Sequence, residues 1–392
     1  MAKKIKKVRY GIVGLGNMGT GHAGNIVGAN STQFSLGAVC DIDEAKARKI
    51  GEQHDVPYFL DAQEMYDSGL IDAVIIATPH YWHPPLTVRA ARAGLHVLCE
   101  KPLSVRVGTA RAMIAECKKR KKVLGAMLQQ RLRPVMMQMQ KMVADGDLGD
   151  IFRVEMIVSS WYRNQAYYDS GEWRGTWDGE GGGVLLNQAP HSLDLFQWIS
   201  GLLPETIDAK VDTRAHDIEV EDTAHIMCDF GDGRYGYIHA TTAELPGFER
   251  LTVVGDAGTL MYENGKLMLG APEMPISKHL ATCKEPWGGI KSTWKEVKLR
   301  KTASESHLGV IRAFAQHLIK GTDLVADGEA AINELEISNA AYLSGYTGKQ
   351  VKLPVDARKI DNLIAKLERE RSTGKGGDLR KQAAKDWRKL MK

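Results

Sequence analysis

The sequence predicts an α/β chain. A doubly wound parallel sheet fills the first third, and an α+β part built on a mostly antiparallel sheet follows. Three observations predict this. Apolar, β-branched runs alternate with helix-forming stretches up to about residue 128. A glycine-rich turn follows the first of those runs. Beyond about residue 150 the spacing shortens to strand–turn–strand. The expected division is 1–128, 129–355 and a charged, helical tail over 356–392. A length of 392 residues suits two domains, and 43% hydrophobic content suits packed cores. No apolar run approaches the ~18 residues a membrane span needs.

In order, strands are expected at 8–13 and 34–40, each followed by a helix (18–28 and 43–53, the latter capped by Asp43). The run at 71–78 is almost wholly apolar, as a strand buried on both faces requires. Helices at 84–93 and 109–119 alternate with strands at 95–100 and 123–128, and units of this length wind right-handedly. The second part begins with a strand at 151–160, an aromatic, glycine-rich stretch at 161–180 and a helix at 184–199. Strands follow at 206–214, 222–230, 234–243, 249–255 and 259–263, with hairpin turns at Gly-Asp-Gly 231–233 and Glu-Asn-Gly 263–265. Late helices are expected at 307–319 and 330–344.

The net charge of +4 is unevenly spread. The first ten residues carry five Lys/Arg and no acid, and residues 356–392 carry twelve against six acids, which leaves −7 for the body. An acidic body with two basic ends argues against nucleic acid or membrane as partner, and the tail reads as a solvated one. Five scattered cysteines without a C-x-x-C pair read as reduced cytoplasmic thiols, and no metal site is expected. The basic start lacks a long apolar segment, so export is not expected.

Gly14-Leu15-Gly16-Asn17-Met18-Gly19 fits G-x-G-x-x-G between a strand and a helix. Such a turn lets backbone approach a pyrophosphate at a helix N-terminus, the hallmark of a Rossmann nucleotide site. Asp41 ends the next strand, 22 residues beyond Gly19. A carboxylate there accepts hydrogen bonds from ribose hydroxyls and repels a 2′-phosphate, so NAD is expected in preference to NADP.

The stretch ATPHYWHPPLTVRAARAGLHVLCEKPLS (77–104) resembles the glucose–fructose oxidoreductase/inositol dehydrogenase family, written Gfo/Idh/MocA. GGGVLLNQAPHSLDLFQW (181–198) and LEISNAAYLSGYTGKQVKLP (335–354) continue the likeness over roughly residues 5–355. The resemblance implies an open-faced second sheet, homodimer or homotetramer assembly, and NAD(P)-dependent oxidation or reduction of a secondary alcohol or ketone on a sugar, glycoside or cyclitol. It places Thr78, Pro79, His80, His83, Glu100 and Lys101 at the cofactor. His80 stands where the family has Asn, and Asn187 where it has Asp.

Hydride transfer from a carbinol carbon requires removal of the hydroxyl proton. Lys101 and His191 are the candidates: His191 as general base, Lys101 as electrostatic and proton-relay partner. Asn187, His191 and Asp194 fall on one face of the expected helix. Asn187 cannot take a proton and is assigned to substrate positioning. Tyr162, Trp173 and Arg174 are expected to bind a carbohydrate, whose C–H faces stack on rings; Trp287 and Trp294 are weaker candidates. Two other readings remain open. One is a redox-neutral hydrolase or epimerase that oxidises its substrate transiently on bound NAD, and the other is a non-catalytic sensor on the same scaffold.

Overall fold

The computed structural model describes residues 5–299, 306–374 and 379–391. Strands β1 (Val8–Val13), β2 (Phe34–Cys40), β3 (Tyr58–Phe59), β4 (Ala73–Ile76), β5 (His96–Cys99) and β6 (Leu124–Ala126) form a parallel sheet in the order β3-β2-β1-β4-β5-β6. Helices α1 (Asn17–Gly28), α2 (Glu44–His54), α3 (Ala62–Asp67), α4 (His83–Arg92) and α5 (Val107–Lys119) connect them. Asp43 caps α2 by accepting the Lys46 N–H, as its place before a helical run predicts. All four β4 residues are fully buried, which explains their unbroken apolar run. The strand order reverses between β1 and β4, so the crevice for a ligand opens at the carboxyl ends of β1, β4 and β5.

After α6 (Pro134–Ala144) the second sheet begins with β7 (Ile151–Val158). Helices α7 (Gln165–Asp169) and α8 (Pro190–Ser200) precede β8 (Thr206–Asp212), β9 (Thr223–Gly231), β10 (Arg234–Thr241), β11 (Glu249–Gly255), β12 (Gly258–Glu263) and β13 (Lys266–Pro272). The arm of α9 (Ile276–Thr282) and β14 (Ser292–Glu296) precedes α10 (His307–Lys320), α11 (Gly328–Thr347) and β15 (Val351–Lys352). The sheet runs β14-β13-β12-β11-β7-β10-β9-β8-β15 and is antiparallel except where β10 pairs with β7. The two expected hairpins form, with positive φ at Asp232, Gly233, Asn264 and Gly265, as tight primed turns require.

Val154, Met156, Ile226, Cys228 and Ile238 point into the core with Phe196 of α8 and Leu335 of α11. A Cβ on Gly236 would come 2.6 Å from the Phe196 ring, so only glycine admits that ring. On the opposite face Met227 and Tyr235 are half exposed.

Three expectations change. The helix predicted at 184–199 starts at Pro190, because proline has no N–H to donate and settles in a first turn. Helix α10 returns to the first sheet: Phe314 packs on Tyr10, and the Tyr10 hydroxyl donates to the Ile311 carbonyl. Residues 307–320 thus share a core with residues 8–127, across the expected boundary at 128. The described part of the tail packs on the body with one face of each helix. Helix α12 (Ala357–Arg371) buries Ile360, Leu363, Ile364 and Leu367, an i, i+3, i+4, i+7 stripe. Helix α13 (Leu379–Leu390) lies on α4, with Arg89 paired to Asp386.

Candidate active-site cleft

Gly14 adopts φ +91°, and a Cβ there would lie 2.7 Å from the Ala77 carbonyl oxygen. A Cβ on Gly19 would fall 1.8 Å from the Gly14 carbonyl, whereas at Gly16 it would meet nothing within 4 Å. The turn is therefore packed on its inner side and open above. The N-terminus of α1, at Asn17 and Met18, has no side-chain cap, so its N–H groups face that opening. Asp41 accepts the Leu15 N–H at 2.6 Å and the Asp43 N–H at 2.9 Å, which fixes its carboxylate beside the turn. The Thr78 hydroxyl oxygen is buried without a partner next to Gly14. Open glycine backbone, uncapped helix and anchored acid fit a dinucleotide.

Pro79 leads into the short turn of helix at His80–Trp82. His80 Nδ1 lies 3.0 Å from the Glu180 carbonyl oxygen, and its ring meets Trp173 at 6.0 Å. Burial, with His83 and Lys101 nearby, pushes it down to about 3. His83 turns away from the role expected of it. Both ring nitrogens lie 2.8 Å from backbone carbonyls, of Pro102 and Thr78, so the ring ties the β4 loop to the β5 loop instead of facing the cofactor groove. Glu100 is likewise buried, its carboxylate 2.8 Å from His22 Nε2. Burial pushes Glu100 up, but the His22 hydrogen bond and the Lys101 charge win and hold it at about 2.

Lys101 follows β5 and donates from Nζ to the Asn187 carbonyl at 2.7 Å. Burial lowers its pKa, opposed by Glu100, Glu334 and Glu180. His191 stands in the first turn of α8, with Nε2 3.2 Å from the Gln129 amide nitrogen and Nδ1 buried without a partner. Burial and the Lys101 charge push it down to about 3, so the ring is neutral at ordinary pH. Asn187 precedes α8 and therefore does not share its face. Asp194 does lie on that helix, but both its oxygens bind Arg131, at 2.6 and 2.8 Å, inside the core.

Sequence reasoning missed Glu180. This buried acid accepts the Gly175 N–H at 2.8 Å and a hydrogen bond from the Asn187 amide. Burial raises its pKa to about 7 against the pull of Arg174 and Lys101. Its signal was an acid directly before the triple glycine. Glu334 of α11 is a second unforeseen acid near Lys101, pushed well up by burial and with Oε2 unpartnered.

The aromatic stretch divides. Trp173 and Arg174 line the cleft with Tyr167, whose hydroxyl receives Arg174 Nη1 at 2.6 Å and the Asn187 amide at 3.3 Å. Tyr162 is half exposed on the loop leading in. Trp177 and Tyr168 belong to the core, hydrogen-bonded to the Glu219 carbonyl and to Thr242. Trp294 lies on the edge strand β14 against Gly270, and Trp287 is 97% exposed on the arm before it, so neither joins this cluster. Among the described residues no cluster of His, Cys, Asp and Glu is able to hold a metal ion, and no helix is long and apolar enough to cross a membrane.

Comparison with known proteins agrees with this fold. Residues 8–127 match the family described as "Oxidoreductase family, NAD-binding Rossmann fold", and residues 136–261 match the GFO/IDH/MocA C-terminal domain. The chain is 27% identical over 352 residues to myo-inositol 2-dehydrogenase of Thermotoga maritima, covering 88% of this chain and 98% of that protein. Inositol 2-dehydrogenase of Rhizobium meliloti is 25% identical over the same length, covering 88% and 99%. Among solved structures, the WlbA dehydrogenase of Bordetella pertussis, in complex with NADH and UDP-GlcNAcA, superposes with a TM-score of 0.75 at 26% identity, over 89% of this chain and all of that one.

Proposed function

From a chain that belongs to the Gfo/Idh/MocA family of NAD-binding oxidoreductases, we propose a dehydrogenase that oxidises a secondary alcohol of a sugar, glycoside or cyclitol, or reduces the matching ketone. The observation that carries this reading is the meeting of Lys101, which follows a strand of the first sheet, with Asn187, bonded to its Nζ, and His191, which feels its charge, from the second part. NAD, when bound, supplies the hydride acceptor. Gly14, Leu15, Gly16, Asn17, Met18 and Gly19 would hold its pyrophosphate and Asp41 its ribose; Thr78, Pro79 and His80 would line the groove.

The chain's own residues manage the proton. The Lys101 ammonium stabilises charge developing on the substrate oxygen. Neutral His191 is the group assigned to take the hydroxyl proton. Asn187 orients the substrate between Lys101 and Tyr167. A panel of sugars and inositols with NAD, read by NADH absorbance, tests the reading; no reduction of NAD by any member contradicts it.

One observation keeps the redox-neutral reading in view: Glu180, at about 7, holds or releases a proton near neutrality. Substrate turnover without NADH accumulation would select it. We further propose a cytoplasmic homodimer or homotetramer. The open sheet face with Met227 and Tyr235 supports the assembly, and five scattered cysteines without a C-x-x-C pair support a reducing compartment. A monomeric mass by light scattering contradicts the assembly.

A further inference from the structure

Arginines inside this molecule are paired with acids. Arg131 has Asp194, Arg106 has Glu368, Arg111 has Glu336 and Arg133 has Glu249. Arg163 and Arg174 break that pattern. Both are partly buried, and among the described residues neither has a carboxylate within 4.0 Å. They flank one ring: the guanidinium carbons lie 4.7 Å and 4.5 Å from the Tyr167 centroid. The Tyr167 hydroxyl bonds the Asn187 amide, and the Asn187 carbonyl bonds Lys101, so three contacts lead from each cation to Lys101. The Arg163 charge is felt at Lys101 and the Arg174 charge at Glu180.

Gathering like charges in a partly desolvated cleft is unfavourable unless anions offset them, and Glu180, which burial keeps from ionising freely, offsets Arg174 only in part. Arg163 spends Nη1 on the Tyr162 carbonyl, and its Nε is buried without a partner. Arg174 spends Nη1 on Tyr167. The remaining N–H groups form planar forks, held in place by stacking on Trp161, Tyr167 and Trp173. Such forks match carboxylate and phosphate oxygens.

We propose that the substrate is an anionic sugar derivative, bearing a carboxylate or phosphate bound by Arg163 and Arg174 while its secondary hydroxyl reaches Lys101 and His191. The anion sets which substrates enter productively; the redox chemistry stays with Lys101 and His191. This inference rests on the dehydrogenase reading above.

The test compares D-glucose, D-glucuronate and D-glucose 6-phosphate with the NAD-loaded enzyme, the two anionic arms separating carboxylate from phosphate. At least one anion should exceed glucose in kcat/KM by about tenfold or more, with the advantage shrinking at high salt. Arg163→Gln and Arg174→Gln should each reduce the ratio of anion to glucose. Glucose equal to or better than both anions overturns the proposal, as does a ratio unmoved by both substitutions. If no sugar reduces NAD, binding to the NADH complex is measured by nicotinamide fluorescence. A preference for either anion that both substitutions weaken then supports the anion site and places the failure in the redox reading. Absence of any preference overturns the anion site itself.

Discussion

The Asn187 side-chain amide donates to the buried Glu180 carboxylate, and this one contact puts a titratable acid behind a residue that cannot itself ionise. The same asparagine receives the Lys101 ammonium on its carbonyl oxygen. Glu180, in the loop at 175–183, thus stands one side chain behind position 187.

Glu180 should leave a signature in stability against pH. Its folded pKa is raised from 4.5 to about 7, so the folded state holds a proton that the unfolded state releases. Stability from this group is fully present below about pH 4.5 and is lost as pH rises to about 7. Glu180→Gln removes the titration. The melting temperature of the variant should gain on that of the unmodified protein as pH rises through this window, and thermal melts at several pH values check it. A constant difference would show that Glu180 ionises normally.

Cofactor choice should rest on Asp41. NAD should bind at least about tenfold more tightly than NADP, and Asp41→Ala should erode that preference. Titration with both cofactors, followed by protein fluorescence, measures the ratio. Equal affinities in the unmodified protein would refute the assignment.

The tail should act on the site it straps. Arg380 of α13 bonds Asp178 at 3.0 Å and Glu368 of α12 at 2.6 Å, and Ser372 reaches Asp178 from the other side. Asp178 lies in the loop that carries Trp173, Arg174 and Glu180. Arg380→Ala should cost about 1–3 kcal/mol of stability by leaving buried acids short of a partner. It should also raise KM more than it lowers kcat, since the loop carries residues proposed to bind substrate. A variant with unchanged melting temperature and KM would show that α13 is a passenger.

Legibility followed how local each signal was. The glycine turn, Asp41 and the β4 apolar run each announce themselves within one element, and each stands where the sequence puts it. Lys101 and His191 were legible as separate residues, yet their meeting depends on the stretch before α8 reaching Lys101 from the second part of the chain. Glu180 and the two arginines without a carboxylate partner stayed hidden because their meaning lies in what surrounds them: a carboxyl is pushed up toward neutral pH only when the fold buries it. The tail misled for the opposite reason. Its high charge masked the apolar stripe Ile360, Leu363, Ile364, Leu367, which was present at helical spacing and needed only the α5–α11 surface to bury it.

The central claim is that Lys101 and His191, brought together from two sheets, perform the proton chemistry of a dehydrogenase. The most direct measurement is turnover and NAD affinity of Lys101→Ala and His191→Ala on a substrate found by the sugar panel. Removal of a general base or its electrostatic partner typically costs about 10²–10⁴-fold in rate. Each variant should lose kcat on that order while binding NAD within a few-fold of the unmodified enzyme. Near-normal kcat in either variant would contradict the account.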